Sequence, residues 1–160
     1  MDLKTSLKQE ADKVAPWLTD LGFQVVESTY SAEHFGNSIL TLSSPRFLVQ
    51  FIRDRGETAT CVASLEDPAN WCLIDFVLEA IRDEENEPPK LELQAGAEIL
   101  RDNFERLSVA LGSNYPKTKE LLRMRTPRRI DRMLALAGKQ RKALEKSAAK
   151  PLDGSIWHLR

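Results

Sequence analysis

The feature that most narrows the fold of this chain is a change of apolar period at Gly22. Ahead of it, Leu3, Leu7, Ala11, Val14, Leu18 and Leu21 recur every three or four residues and so share one face of a helix. Pro16 falls inside that run, where its ring and missing N–H demand a kink or a restart. Gly22 stands where a glycine ends a helix in the left-handed conformation. Beyond it the pattern changes to strands. Residues 23–30, 38–42, 47–52 and 57–64 are rich in β-branched and aromatic side chains and are separated by turn residues. Arg53-Asp54-Arg55-Gly56 joins the last two as a short hairpin loop, its glycine where φ > 0 is required. Phe35-Gly36-Asn37 reads as the turn into the second strand, with Phe35 tucked against the core.

Helical spacing then returns. Asp67-Pro68 offers an N-cap followed by proline at the first helical position, and Trp71, Ile74, Val77, Leu78 and Ile81 form the buried stripe behind it. The charged run from Asp83 to Pro89 is the best boundary in the chain. After it, Leu93, Ala97, Leu100, Phe104, Leu107 and Leu111 make a heptad stripe of about 19 residues, under three heptads. So short a stripe favours a helix docked on a core over a stand-alone coiled coil, though an exposed stripe would suit a subunit of a larger assembly. Gly112 closes this helix. Pro116 opens a short segment with Leu121, Leu122 and Met124, and Thr126-Pro127 caps another with Ile130, Met133, Leu134 and Ala137.

The expected class is α+β: an N-terminal helix, an antiparallel sheet of about four strands and a helical C-terminal half. Residues 1–87 are expected to form the sheet core, 88–150 a helical region with a basic C-terminal segment packed on the same core, and 151–160 a tail. A chain of 160 residues can bury one sizeable core, and 42% apolar with 29% charged side chains is ordinary for a globular protein. No apolar run approaches the roughly 20 residues a bilayer requires, and Met1-Asp2-Leu3-Lys4 opens without a secretory h-region, so a cytoplasmic address is expected. Cys61 and Cys72 lie in apolar stretches and read as free thiols.

Chemical signatures are sparse. The two histidines, His34 and His158, lack cysteine neighbours and stand 124 positions apart, so no metal site is expected. No nucleophile elbow and no phosphate-cradling glycine loop occurs, and the expectation is a chain without catalytic residues or cofactor. Trp17 and Trp71 each belong to an apolar stripe and read as core. Attention therefore falls on charge. Residues 1–112 carry 20 acidic and 10 basic side chains and sum to −10, whereas residues 113–150 carry 12 basic and 3 acidic and sum to +9.

Two clusters follow from this. Arg53, Asp54, Arg55 and Glu57 present two guanidinium forks at a hairpin, each able to grip a carboxylate or phosphate. The plainer reading is a solvated hairpin whose Asp54 satisfies its own turn backbone. Lys117, Lys119, Arg123, Arg125, Arg128, Arg129 and Arg132 fall within 16 residues, a density that can neutralise phosphates. Two short helices about Arg125-Thr126-Pro127 faintly suggest a helix-turn-helix. Its turn holds proline where a small residue is usual, and Tyr115 is the one stacking ring close by. The plainer reading pairs this basic face with the acidic helix bearing Glu92, Glu98, Asp102 and Glu105.

Leu21-Gly22-Phe23, Phe35-Gly36-Asn37, Phe51-Ile52-Arg53-Asp54-Arg55-Gly56 and the Trp71-led helix, within residues 21–81, together resemble small bacterial immunity-type proteins of polymorphic toxin systems. The likeness covers about 60 of the 160 residues, and the basic C-terminal extension lies outside it. It implies a helix–sheet–helix module that neutralises a basic toxin domain by occupying its surface, with Arg53, Asp54, Arg55 and Glu57 in the contact. An acidic surface suits such a partner, because it steers basic proteins toward it. The alternative is a nucleic-acid-associated or regulatory protein acting through residues 116–142. The sequence leaves the oligomeric state open.

Overall fold

A computed structural model describes residues 6–34, 36–85, 90–127 and 134. The chain divides into two compact units, Met1–Leu122 and Arg123–Arg160. In the second, residues 123–127 and Leu134 are helical.

Helix α1, Leu7–Val14, begins at a reciprocal cap. The Gln9 backbone N–H donates to Ser6 Oγ at 3.2 Å, and Ser6 N–H donates to Gln9 Oε1 at 3.1 Å. The helix stops at Ala15, and Pro16–Leu18 forms a 3-10 turn, the restart that Pro16 imposes. Phe23 N–H then donates to Leu18 O at 3.1 Å, closing the turn before the first strand.

Five strands follow as an antiparallel sheet in sequence order: β1 Gln24–Ser31, β2 Asn37–Ser43, β3 Leu48–Asp54, β4 Glu57–Ala63 and β5 Cys72–Leu73. Side chains alternate across it. Leu42 faces Val49 and Val62, Leu40 faces Phe51 and Thr60, and Ser38 faces Arg53 and Thr58. That surface receives α1 and α3 (Leu93–Asp102), whose Leu7, Ala11, Leu93, Ala97 and Leu100 are buried with it. Helices α2 (Ile74–Arg82) and α4 (Phe104–Leu111), with α5 at residues 115–122, add Val77, Leu78, Leu107, Leu111 and Leu122 to the same core. Phe23, Phe47 and Phe104 meet with ring centroids 5.5 to 5.9 Å apart, tying the sheet entrance to α4.

The α+β class expected from the sequence is the one found, with a fifth strand added. Asp67-Pro68 does not start the second helix. Residues 65–69 form turns, Cys72 and Leu73 pair with Val62 and Cys61, and α2 begins only at Ile74. The reason lies in Asp67, whose carboxylate is taken by Tyr115, Asn70 and Lys119 instead of helix N–H groups. The heptad stripe is also divided. Asn103 (φ −120°, ψ 14°) separates α3 from α4, its Nδ2 donating to Ile99 O at 2.9 Å while Arg82 donates to its Oδ1. An asparagine side chain that competes for the backbone in this way breaks a helix without losing its apolar face.

Candidate functional site

The sequence grouped Arg53, Asp54, Arg55 and Glu57 as one presented pattern, and the structure separates them. Arg55 (φ 54°) and Gly56 (φ 83°) make a two-residue turn with both residues left-handed, and Asp54 stands opposite Glu57 at its base. The Arg55 N–H donates to Asn37 Oδ1 at 3.1 Å, which anchors the tip to the start of β2. Asp54, Arg55 and Glu57 are exposed. The Arg55–Asp54 contact of 3.9 Å joins side chains 45% and 54% exposed, a pair that adds little stability.

Arg53 points the other way. It is 7% exposed, forms an ion pair with Glu10 of α1, and donates from Nε to Thr58 Oγ1 at 3.2 Å. Its expected place at a partner surface is therefore corrected: Arg53 fixes the root of the hairpin to the first helix. The cause is the period of two, which places Arg53 on the inward face with Val49 and Phe51. That alternation was visible in the sequence as Val49-Gln50-Phe51-Ile52-Arg53. The tip is consequently a turn bearing both signs of charge, on a stem tied to α1 and to the start of β2.

Tyr115 of α5 donates to Asp67 Oδ2 at 2.7 Å, joined there by Asn70 Nδ2 at 3.2 Å and Lys119 Nζ at 3.2 Å. These donors hold the Asp67 carboxyl below its usual range, the Tyr115 hydrogen bond foremost. Burial, helped by Asp67, pushes the Tyr115 hydroxyl up to about 12. Burial likewise pushes the Cys61 thiol up to about 11, and both cysteines are free thiols. Cys61 and Tyr115 have folded pKa values raised above their ordinary 9.0 and 10.0, so their contributions are complete below those values and fade as pH climbs toward 11 and 12. Asp67 is the opposite case: its contribution is present above its ordinary 3.8 and lost as pH falls through the lowered folded value. Urea midpoints are thus expected to decline from about pH 9 upward. Tyr115→Phe should flatten the upper part of that decline, and an unchanged alkaline slope in this variant would remove Tyr115 from it.

Of the basic cluster, Lys117 is exposed, Lys119 is engaged by Asp67, Arg123 is exposed and Arg125 is half-buried. Arg128, Arg129 and Arg132 lie outside the described residues. Residues 123–127 are helical, so the turn expected at Arg125-Thr126-Pro127 does not form at those positions. Pro127 is the last described residue of that stretch, and its fixed φ is compatible with the helical range. On the acidic helices, Glu105 lies 3.9 Å from Arg46 and Asp102 3.6 Å from Arg101. Arg101 also lies over the Trp17 ring, 4.9 Å from its centroid, so Trp17 joins the core edge to α3.

Among the described residues no group of three or more His, Cys, Asp or Glu is placed to hold a metal ion, and no helix is long and apolar enough to cross a membrane. What fold and site together define is an α+β protein with a five-stranded antiparallel meander and one rigid, charged hairpin. No protein-family model, no curated protein and no solved structure matches this chain.

Proposed function

We propose that this chain is a non-enzymatic protein-binding module, of the immunity type in which a toxin domain is neutralised by covering its surface. The observation that carries the reading is the hairpin tip. Asp54, Arg55 and Glu57 are exposed on a turn whose stem is held by the part-buried Glu10–Arg53 pair and by Asn37. A charged tip that is already ordered loses little conformational freedom on binding, which favours recognition by a fixed surface. The acid excess of residues 1–112 supports a basic partner.

The test captures partners with the tagged full chain from its own cell lysate, with and without nuclease. A stoichiometric protein that survives nuclease is expected. Asp54→Ala, Arg55→Ala and Glu57→Ala together should weaken that complex about tenfold or more while the circular dichroism spectrum is unchanged. Arg53 is kept in this variant because its loss would unsettle the stem. Loss of all bound material on nuclease treatment would overturn the reading in favour of nucleic acid on residues 116–142.

A further inference from the structure

The break in the heptad stripe at Asn103 gathers three arginines. Arg82 ends α2 and donates to Asn103 Oδ1, Arg101 lies in the last turn of α3, and Arg106 lies in the first turn of α4. Two open grooves border them. One, of ≈ 540 Å³, is lined by Ile81, Arg82, Glu84 and Arg106. The other, of ≈ 530 Å³, runs past Leu21, Phe104 and Arg101, and Arg106 borders it as well.

The charges at these grooves are not all matched. Asp102 lies 3.6 Å from Arg101 and Glu105 3.9 Å from Arg46, and Glu84 has a partner of its own. Arg101 is held a second time by the Trp17 ring, 4.9 Å from its centroid. The other two guanidiniums differ. Among the described residues Arg82 donates to a neutral amide alone, and Arg106 makes no hydrogen bond or ion pair. Both are exposed. Residues 1–112 hold 20 acidic side chains against 10 basic ones, so a shortage of carboxylates does not explain this.

From this we infer that Arg82 and Arg106 bind the phosphate group of a small phosphate monoester in the groove they share. A carboxylate has two oxygens and is satisfied by one guanidinium fork, whereas a monoester dianion offers three terminal oxygens that two forks can divide. Glu84 at the same groove disfavours further negative charge, which selects a single phosphate over a polyphosphate. The space exceeds what a bare phosphate fills and lies within the roughly 300–1,000 Å³ of sites for small organic molecules. Leu21 and Phe104, in the groove that Arg106 also borders, give the rest of the molecule an apolar wall. The inference goes beyond the protein-binding reading and shares no residue with the hairpin tip.

The experiment titrates the ¹⁵N-labelled full chain with phenyl phosphate, inorganic phosphate and benzoate at constant ionic strength, at about pH 8 so that the monoester is a dianion. Amide shifts at residues 81–84 and 103–106 are expected with phenyl phosphate, saturating at a lower concentration than with either of the others. Arg106→Gln and Arg82→Gln should each weaken phenyl phosphate about fivefold, the spectrum showing that both variants are folded. Arg106→Lys should restore only part of the loss, because an ammonium carries the charge without the fork. Benzoate binding as tightly as phenyl phosphate would overturn the inference, and so would equal affinity for inorganic phosphate. Full recovery in Arg106→Lys, an unaffected glutamine variant, or no shifts at these residues would overturn it too.

Discussion

Glu10→Ala should lower the free energy of unfolding by about 3–5 kcal/mol, as removing one partner of a buried ion pair does. The side chains of Arg53 and Glu10 are 8% and 16% exposed, so neither charge is well served by water. Without Glu10, the Arg53 guanidinium keeps one neutral hydrogen bond, to Thr58 Oγ1, and remains a buried cation that has lost its counter-charge. The loss would be read as a fall in the urea midpoint at pH 7 with an unchanged m-value. Replacing both partners, Glu10→Leu with Arg53→Met, should recover most of it, because two apolar side chains remove the desolvation cost along with the attraction. A loss below about 1 kcal/mol in Glu10→Ala would show that the pair behaves like an exposed one. The rigid stem would then lose its main support. The proposed role of the hairpin and this stability prediction are therefore linked through one contact.

Gly96→Ala is the second large effect. Helix α3 approaches β4 so closely that a Cβ on Gly96 would lie 1.9 Å from Thr60 Oγ1 and 3.0 Å from Thr60 Cβ. An alanine here gains up to about 1 kcal/mol of helix propensity. The overlap costs more, about 1–3 kcal/mol net or beyond, since both helix and strand are packed and neither backbone shifts freely. Thr60→Ala supplies the check. The Thr60 hydroxyl is buried with no hydrogen-bond partner among the described residues, so its loss costs little, and Thr60→Ala should lose about 1 kcal/mol for the methyl that leaves with it. In the Gly96→Ala background the same deletion should restore stability, with a coupling of about 1 kcal/mol or more in the double-mutant cycle. Additive effects would place the strain of Gly96→Ala elsewhere.

The candidate site was partly legible. The turn was readable because two left-handed residues before a strand demand glycine, and Gly56 sits there. Exposure of Asp54 and Glu57 followed from polarity. The inward turn of Arg53 could have been read from its alternation with Val49 and Phe51, but a cation on an inward face is credible only once its partner is known. That partner, Glu10, is 43 residues away in sequence. Nothing local marks Glu10 among its neighbours on α1. The same limit applies to Asp67, whose cap-like setting before Pro68 was sound as local chemistry and was overruled by Tyr115, 48 residues further on.

The edge strand shows a related division. Its β character was plain from Val25, Val26, Thr29 and Tyr30, yet whether it would lie central or at the margin depends on the order of pairing. Sequential hairpins leave the first strand at the margin, and only the assembled strand order shows it there.

By itself, then, the sequence determined the elements and their breaks: a helix interrupted at Pro16, strands after Gly22, a tight turn at Gly56, and a helical region after the charged linker. These are local matters, fixed by side-chain period, by φ restrictions and by capping chemistry within a few residues. Tertiary structure alone decided which charges meet, where Asn103 divides the heptad stripe, that Gly96 must remain bare against Thr60, and which strand lies at the margin of the sheet. Each of these depends on groups far apart in sequence, whose proximity arises only when the sheet and helices bury their apolar faces together.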